Sequence, residues 1–142
     1  MCLTKIVEQY DPSLQDVTAW GVFDEVDGEL CLPIFPLRLG KKYAVFTVGG
    51  AATRVCPTET WLEANKVVVN SGPRSQGPRY LTGFHKYATQ EGPKKSWRTW
   101  KSCLGLEKPV VRQVKLRGVR ILGEECGHQV YVADEMFIPK GM

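Results

Sequence analysis

The stretch Val110-Val-Arg-Gln-Val-Lys-Leu-Arg-Gly-Val-Arg-Ile-Leu122 alternates apolar and basic residues with the period of a β-strand, and its reading decides the fold. Val114 and Leu116 share one face. Val119 and Ile121 have the opposite parity, so an unbroken strand would expose one of the two pairs. A β-bulge at Gly118, where glycine tolerates the backbone conformation a bulge needs, returns all four to the core. Lys115, Arg117 and Arg120 then stand together on the solvent side. Gly123-Glu-Glu-Cys-Gly127 turns the chain, with Glu124 and Glu125 solvating the turn or reaching a basic neighbour. His128 to Ile138 returns as the antiparallel partner.

Working outward, Val17-Thr-Ala-Trp-Gly-Val-Phe23 has the β-branched and aromatic content of a strand, closed by an acidic turn from Asp24 to Gly28. Glu29 to Phe35 is its hairpin partner, kept short or at an edge by Pro33 and Pro36, which lack amide donors. Tyr43 to Val48, Lys66 to Val69 and Tyr80 to Thr89 read as further strands, and Asp11-Pro12-Ser13 stops whatever Leu3 to Val7 begins. Pro57 to Ala64 reads as a short helix or a loop. Asn70 to Arg79 carries two Gly-Pro pairs and no large apolar residue, the composition of an exposed loop. Pro93 to Leu104 is the one helix: Trp97, Trp100 and Leu104 recur at i, i+3 and i+7, and Gly105 follows as a C-cap. The expected class is α+β, mainly antiparallel sheet with a helix at about 93–104.

The chain has 142 residues, 43% hydrophobic and 24% charged, which suits one domain over 1–142 and is too short for a two-domain dehydrogenase, a kinase or a (β/α)₈ barrel. No window has the length and apolarity of a membrane span, and no apolar run follows the N-terminus, so a soluble, non-secreted protein is expected. Five cysteines, odd in number and without C-x-x-C spacing, fit a reducing compartment. Cys126 and His128, with His85, lack the paired spacing of a zinc site, so no metal is expected.

Charge is unevenly divided. Residues 1–70 carry 6 Lys/Arg against 9 Asp/Glu, and residues 71–142 carry 13 against 6. Between Arg74 and Arg120 there are 12 basic residues and 2 acidic ones. Such a stretch draws an acidic protein surface, a nucleotide or a nucleic acid. Its candidate contacts are Arg74, Arg79, Lys86, Lys94, Lys95, Arg98, Lys101, Lys115, Arg117 and Arg120, with Tyr80, Trp97 and Trp100 interleaved.

Two constellations point instead to catalysis. If Met1 is removed, Cys2 joins a thiol to an α-amine, a nucleophile and a base in one residue. The strand Gly83-Phe-His85-Lys-Tyr87, a following helix and a late strand bearing Glu135 resemble, in order, the motifs of ADP-ribosyltransferases. That resemblance implies an NAD-using enzyme in which His85 and Tyr87 hold the nicotinamide ribose and Glu135 orients the nucleophile. In that family, however, the histidine and tyrosine come from separate strands.

The MCL start, Tyr80-Leu-Thr-Gly-Phe-His-Lys-Tyr87, Val111-Arg-Gln-Val-Lys-Leu-Arg-Gly-Val119 and Val132-Ala-Asp-Glu-Met-Phe-Ile138 together resemble a set of small uncharacterised proteins encoded by bacteriophages and prophages. The resemblance implies a viral accessory protein of the host cytoplasm that binds a host or defence component, with a virion part as the alternative. It implies no cofactor and carries no site residue. The favoured expectation is therefore a binding module using the basic stretch, with the NAD-dependent enzyme as the runner-up.

Overall fold

The computed structural model describes residues 3–9, 11, 15–32, 47–48, 51–52, 55–66, 68–70, 77–94, 108–125 and 127–140. Its strands, in chain order, are β1 (Lys5–Gln9), β2 (Val17–Val26), β3 (Glu29–Cys31), β4 (Thr47–Val48), β5 (Ala51–Ala52), β6 (Trp61–Glu63), β7 (Val68–Asn70), β8 (Arg79–Leu81), β9 (Phe84–Tyr87), β10 (Pro109–Glu125) and β11 (His128–Phe137).

The 17-residue β10 would be about 56 Å long if straight, well beyond the usual strand, and it serves two sets of neighbours. Along one edge it pairs first with β2, from Pro109 opposite Asp24 to Leu116 opposite Val17, and then with β1, from Ile121 opposite Gln9 to Glu124 opposite Lys5. Its other edge pairs with β11 from Lys115 opposite Phe137 to Glu125 opposite His128. The far edge of β11 takes β9 at Val130 to Ala133 and β6 at Glu135 to Phe137. A bridge between Tyr87 and Trp20 joins β9 to β2, so the path β2–β10–β11–β9 returns to β2. All these pairings are antiparallel.

Cross-strand partners share a face, which divides the buried residues into two clusters. Phe84 lies opposite Ala133 and Leu116 opposite Met136. These four belong to the larger, inner cluster with Ala19, Phe23, Leu30, Cys56, Val114 and Val119. Tyr87 lies opposite Val130, and these join Leu3, Tyr80, Ile121 and Val132 on the other face. Each fully buried Phe or Leu stabilises the fold by about 1.5–3 kcal/mol, so the inner cluster dominates.

β10 does carry the expected irregularity, but its register slip falls at Arg120, two residues beyond the glycine where the alternation placed it. Gly118 has φ +70°, and a Cβ there would also meet the Asp134 side chain at 2.9 Å. The register slips between Val119 and Ile121. All four apolar residues are buried, with one correction: Ile121 faces the second cluster, whereas Val114, Leu116 and Val119 face the first.

The α+β expectation is overturned. The molecule is β-rich, and the helical residues described are the single turn 91–94. The rest of the expected helix, 95–104, lies outside the described residues. Its stripe rested on three apolar positions, two of them tryptophans, a residue type at home in strands, and Gly92, Pro93 and Gly105 bound it with poor helix formers. Pro57 to Ala64 is likewise neither helix nor simple loop, because Trp61–Glu63 extends the sheet as β6. The strand expected over Tyr80 to Thr89 is divided at Thr82-Gly83 into β8 and β9. The segment expected as a loop from Asn70 to Arg79 begins and ends in paired strand residues, Asn70 opposite Arg79. Among the described residues no helix is long and apolar enough to cross a membrane.

Candidate functional site

On β9, alternation sends His85 and Tyr87 to the second cluster and Phe84 and Lys86 to the inner one. His85 Nδ1 lies 3.0 Å from Gly83 O, a group that only accepts, so Nδ1 carries the hydrogen. Nε2 therefore accepts from the Tyr80 hydroxyl at 2.8 Å, and the Tyr80 oxygen accepts the Leu3 N–H at 3.1 Å. Burial pushes the His85 pKa down to about 3, and Lys86 and Arg120 push the same way, so the ring is neutral. Gly83 is obligatory in this arrangement: a Cβ would stand 2.4 Å from the Ala133 carbonyl oxygen.

Tyr87 is buried, edge-on to His128 with ring centroids 6.2 Å apart. Glu135 lies further along β11, opposite Arg117 and Glu63, with Arg117 Nη1 at 3.7 Å from its carboxylate. The structure thus places His85 and Tyr87 together in a packed cluster and Glu135 apart from them at another strand pairing. Cys2 lies outside the described residues. Glu125, expected to solvate a turn, instead has Oε2 buried without a hydrogen-bond partner among the described residues, and burial raises its pKa.

The basic residues have different fates. Arg74, Lys95, Arg98 and Lys101 lie outside the described residues. Arg79, Lys94 and Lys115 are exposed, the last with its ammonium 5.9 Å from the Phe137 ring centroid. Arg117 stacks its guanidinium 4.0 Å over Trp61 and pairs with Asp16 at 3.4 Å. Arg120 is an internal clamp rather than a surface cation: Nε donates to Asp134 at 2.6 Å, Nη1 to Leu81 O at 3.0 Å and Nη2 to Thr82 O at 2.9 Å. Lys86 is also not a surface contact, being 7% exposed on the inner face.

A pocket of about 550 Å³ opens beside the β2–β3 turn, lined among others by Glu25, Glu29, Cys56, Thr58, Arg112 and Lys140. Its volume falls in the range of small-molecule sites. Arg112 comes from β10, in the row Val110, Arg112, Val114, Leu116, whose apolar members pack on the inner cluster. Its Nη2 donates to Pro139 O at 3.0 Å, and among the described residues it meets no carboxylate. Glu25 is already engaged by Lys108 at 3.2 Å.

Opposite Arg112 in the β2 register stands Gly21. The absent side chain makes room for a second cation, because a Cβ on Gly21 would lie 2.7 Å from Lys86 Cδ. Two basic residues thus border the same glycine on the inner face. Sequence reading passed over Arg112, Lys140 and Cys56 as site residues. The signal for Arg112 was present: a cation in an otherwise apolar strand row is the informative anomaly. Nothing local marked Cys56 or Lys140, which reach the pocket only through the tertiary fold. Comparison with protein-family models, with curated proteins and with solved structures finds no match to this chain.

Proposed function

We propose that the protein acts by binding, as a small accessory protein of bacteriophage type working in the host cytoplasm. Its ligand or partner presents an anionic group to the pocket at Arg112 and Lys140. The observation that carries this reading is Arg112: a half-buried guanidinium on an inward-facing row, open to a pocket and without a carboxylate partner among the described residues. Partly desolvated charge is costly unless compensated, and an anionic ligand supplies the compensation. Lys140 adds a second positive charge, Glu29 opposes, and Glu25 is neutralised by Lys108. Of the acidic surface, the nucleotide and the nucleic acid, the pocket's volume favours the nucleotide-sized ligand. The exposed Arg79, Lys94 and Lys115 contribute to the field that steers it.

The test is calorimetric titration of the whole chain with nucleoside triphosphates, single-stranded DNA and poly-glutamate at two salt concentrations. Binding of a nucleotide that weakens with salt, and falls at least about tenfold in Arg112→Ala, supports the reading, one lost charge-assisted contact being enough for that factor. Binding that survives Arg112→Ala with Lys140→Ala, yet disappears in Arg79→Ala with Lys94→Ala, moves the contact to the outer surface and overturns it.

A further inference from the structure

Where β6 joins β11, two outward rows run across three strands. Lys115, Phe137 and Trp61 stand side by side on β10, β11 and β6, and Arg117, Glu135 and Glu63 form the next row. Leu116, Met136 and Leu62 lie between the rows and belong to the inner cluster, so alternation turns both rows outward. Trp61 and Phe137 pack with ring centroids 5.4 Å apart and remain half-buried. The Arg117 guanidinium covers Trp61, and the Lys115 ammonium stands beside Phe137. Aromatic rings with a stacked arginine, left partly open to solvent, are the side chains that concentrate at protein contacts.

Charge on this face is ordered by strand. The cations Lys115 and Arg117 stand on β10 and the carboxylate Glu63 on β6, with β11 between them. Glu135 and Asp16 are taken up by Arg117, at 3.7 and 3.4 Å. Lys115 and Glu63 are both exposed, and among the described residues neither meets an opposite charge. Two cations against three carboxylates do not favour a phosphate backbone. A face that is positive along one strand and negative two strands away is complementary to a second copy of itself turned over.

We propose that this face is the contact between two copies of the chain in a symmetric, reversible dimer. A two-fold axis running along β11, in the plane between the copies, lays β10 of each copy over β6 of the other, an aligned packing of two sheets. Lys115 and Arg117 of one copy then face Trp61 and Glu63 of the second, twice over, and Phe137 meets its own counterpart. The contact spans few strands, about 4.8 Å apart, which is small for a protein interface, so the dimer forms and dissociates with concentration. It is independent of the binding reading above, whose Arg112 belongs to the inward row of β10.

The test is sedimentation equilibrium of the intact chain over concentrations rising toward the millimolar range, where the wild type should pass from monomer to dimer. Lys115→Glu and Glu63→Lys each set like charges against one another at two symmetry-related places, and each should weaken dimerisation at least about tenfold. Mixed in equal amounts, the two variants are complementary at both places and should associate again as a heterodimer. A local effect of either substitution on its own chain would not produce that recovery. Both positions are exposed, so each variant should keep the native circular dichroism. A wild type that stays monomeric, single variants that dimerise as the wild type does, or a mixture that stays monomeric each overturns the proposal. A monomeric wild type whose binding to single-stranded DNA is lost in Lys115→Glu overturns it in favour of nucleic acid on this face.

Discussion

His85, Lys86 and Arg112 show how one strand position decides what a basic side chain becomes. His85 is neutral because burial disfavours its charged form, against the pull of the Gly83 carbonyl, while its ring nitrogens meet that carbonyl and the Tyr80 hydroxyl. In the unfolded chain it titrates near 6.5, in the folded chain near 3. Between those values only the unfolded state binds the proton, so the stabilisation is complete above pH ~6.5 and is lost as pH falls toward ~3. The loss is at most about 1.4 kcal/mol per pH unit from this residue. Glu125, raised by burial, acts in the opposite direction, holding its proton in the folded state. Urea midpoints measured from pH about 7 down to about 4 should therefore fall more steeply in the wild type than in His85→Gln, whose amide can replace both hydrogen bonds. Parallel pH profiles for the two proteins would show that the imidazole is protonated in the folded state.

Among the elements, β10 carries the architecture, and Arg120 ties it to its surroundings. The guanidinium joins β10 to Asp134 on β11 and to two carbonyls between β8 and β9, with side-chain exposures of 13% for Arg120 and 21% for Asp134. Its removal leaves a largely buried carboxylate with Lys66 at 3.8 Å as the remaining cation in the described structure. Arg120→Met should destabilise by about 3 kcal/mol, as expected for breaking a largely buried pair. Arg117→Met, which removes partly exposed pairs at 3.4 and 3.7 Å and stacking on Trp61, should cost about 1 kcal/mol. Similar shifts in denaturation midpoint for the two variants would contradict the clamp. The β10–β11 hairpin, its glycine kink and the β2 strand were legible because alternation and turn chemistry are local. Arg120 was not, since its alternation with Arg117 and Lys115 suggests a solvent face until Asp134 is brought beside it. The division of Tyr80 to Thr89 depends on Gly83 crossing the Ala133 carbonyl, and β6 exists because β11 offers Trp61 an edge. Both are tertiary facts with no local signature.

At the scale of the molecule, the pairing pattern joins the ends of the chain. Lys5 meets Glu124, Val17 meets Leu116, and Trp61 meets Phe137, so three of the contacts that assemble the sheet span most of the sequence. The long local pairing is the β10–β11 hairpin, whose turn separates Glu125 from His128 by two residues. Closing the β2–β10–β11–β9 circuit orders distant segments before their contacts repay the entropy, which places folding in the millisecond-to-second range. The same circuit predicts the distribution of stability. Amides in β10 and β11 between residues 115 and 133 are held on both sides by packed clusters and should exchange hydrogen only through global unfolding. The β7–β8 ribbon pairs with no other strand of the described structure, and its opposed Val68 and Leu81 are exposed at 55% and 39%. Its amides should exchange through local opening, with a smaller dependence on denaturant. Native-state hydrogen exchange across a low urea series distinguishes the two classes by slope. If β7–β8 converged on the same exchange free energy as β10 and β11, the ribbon would belong to the same cooperative unit. The pocket at Arg112 would then sit in a body that opens only as a whole.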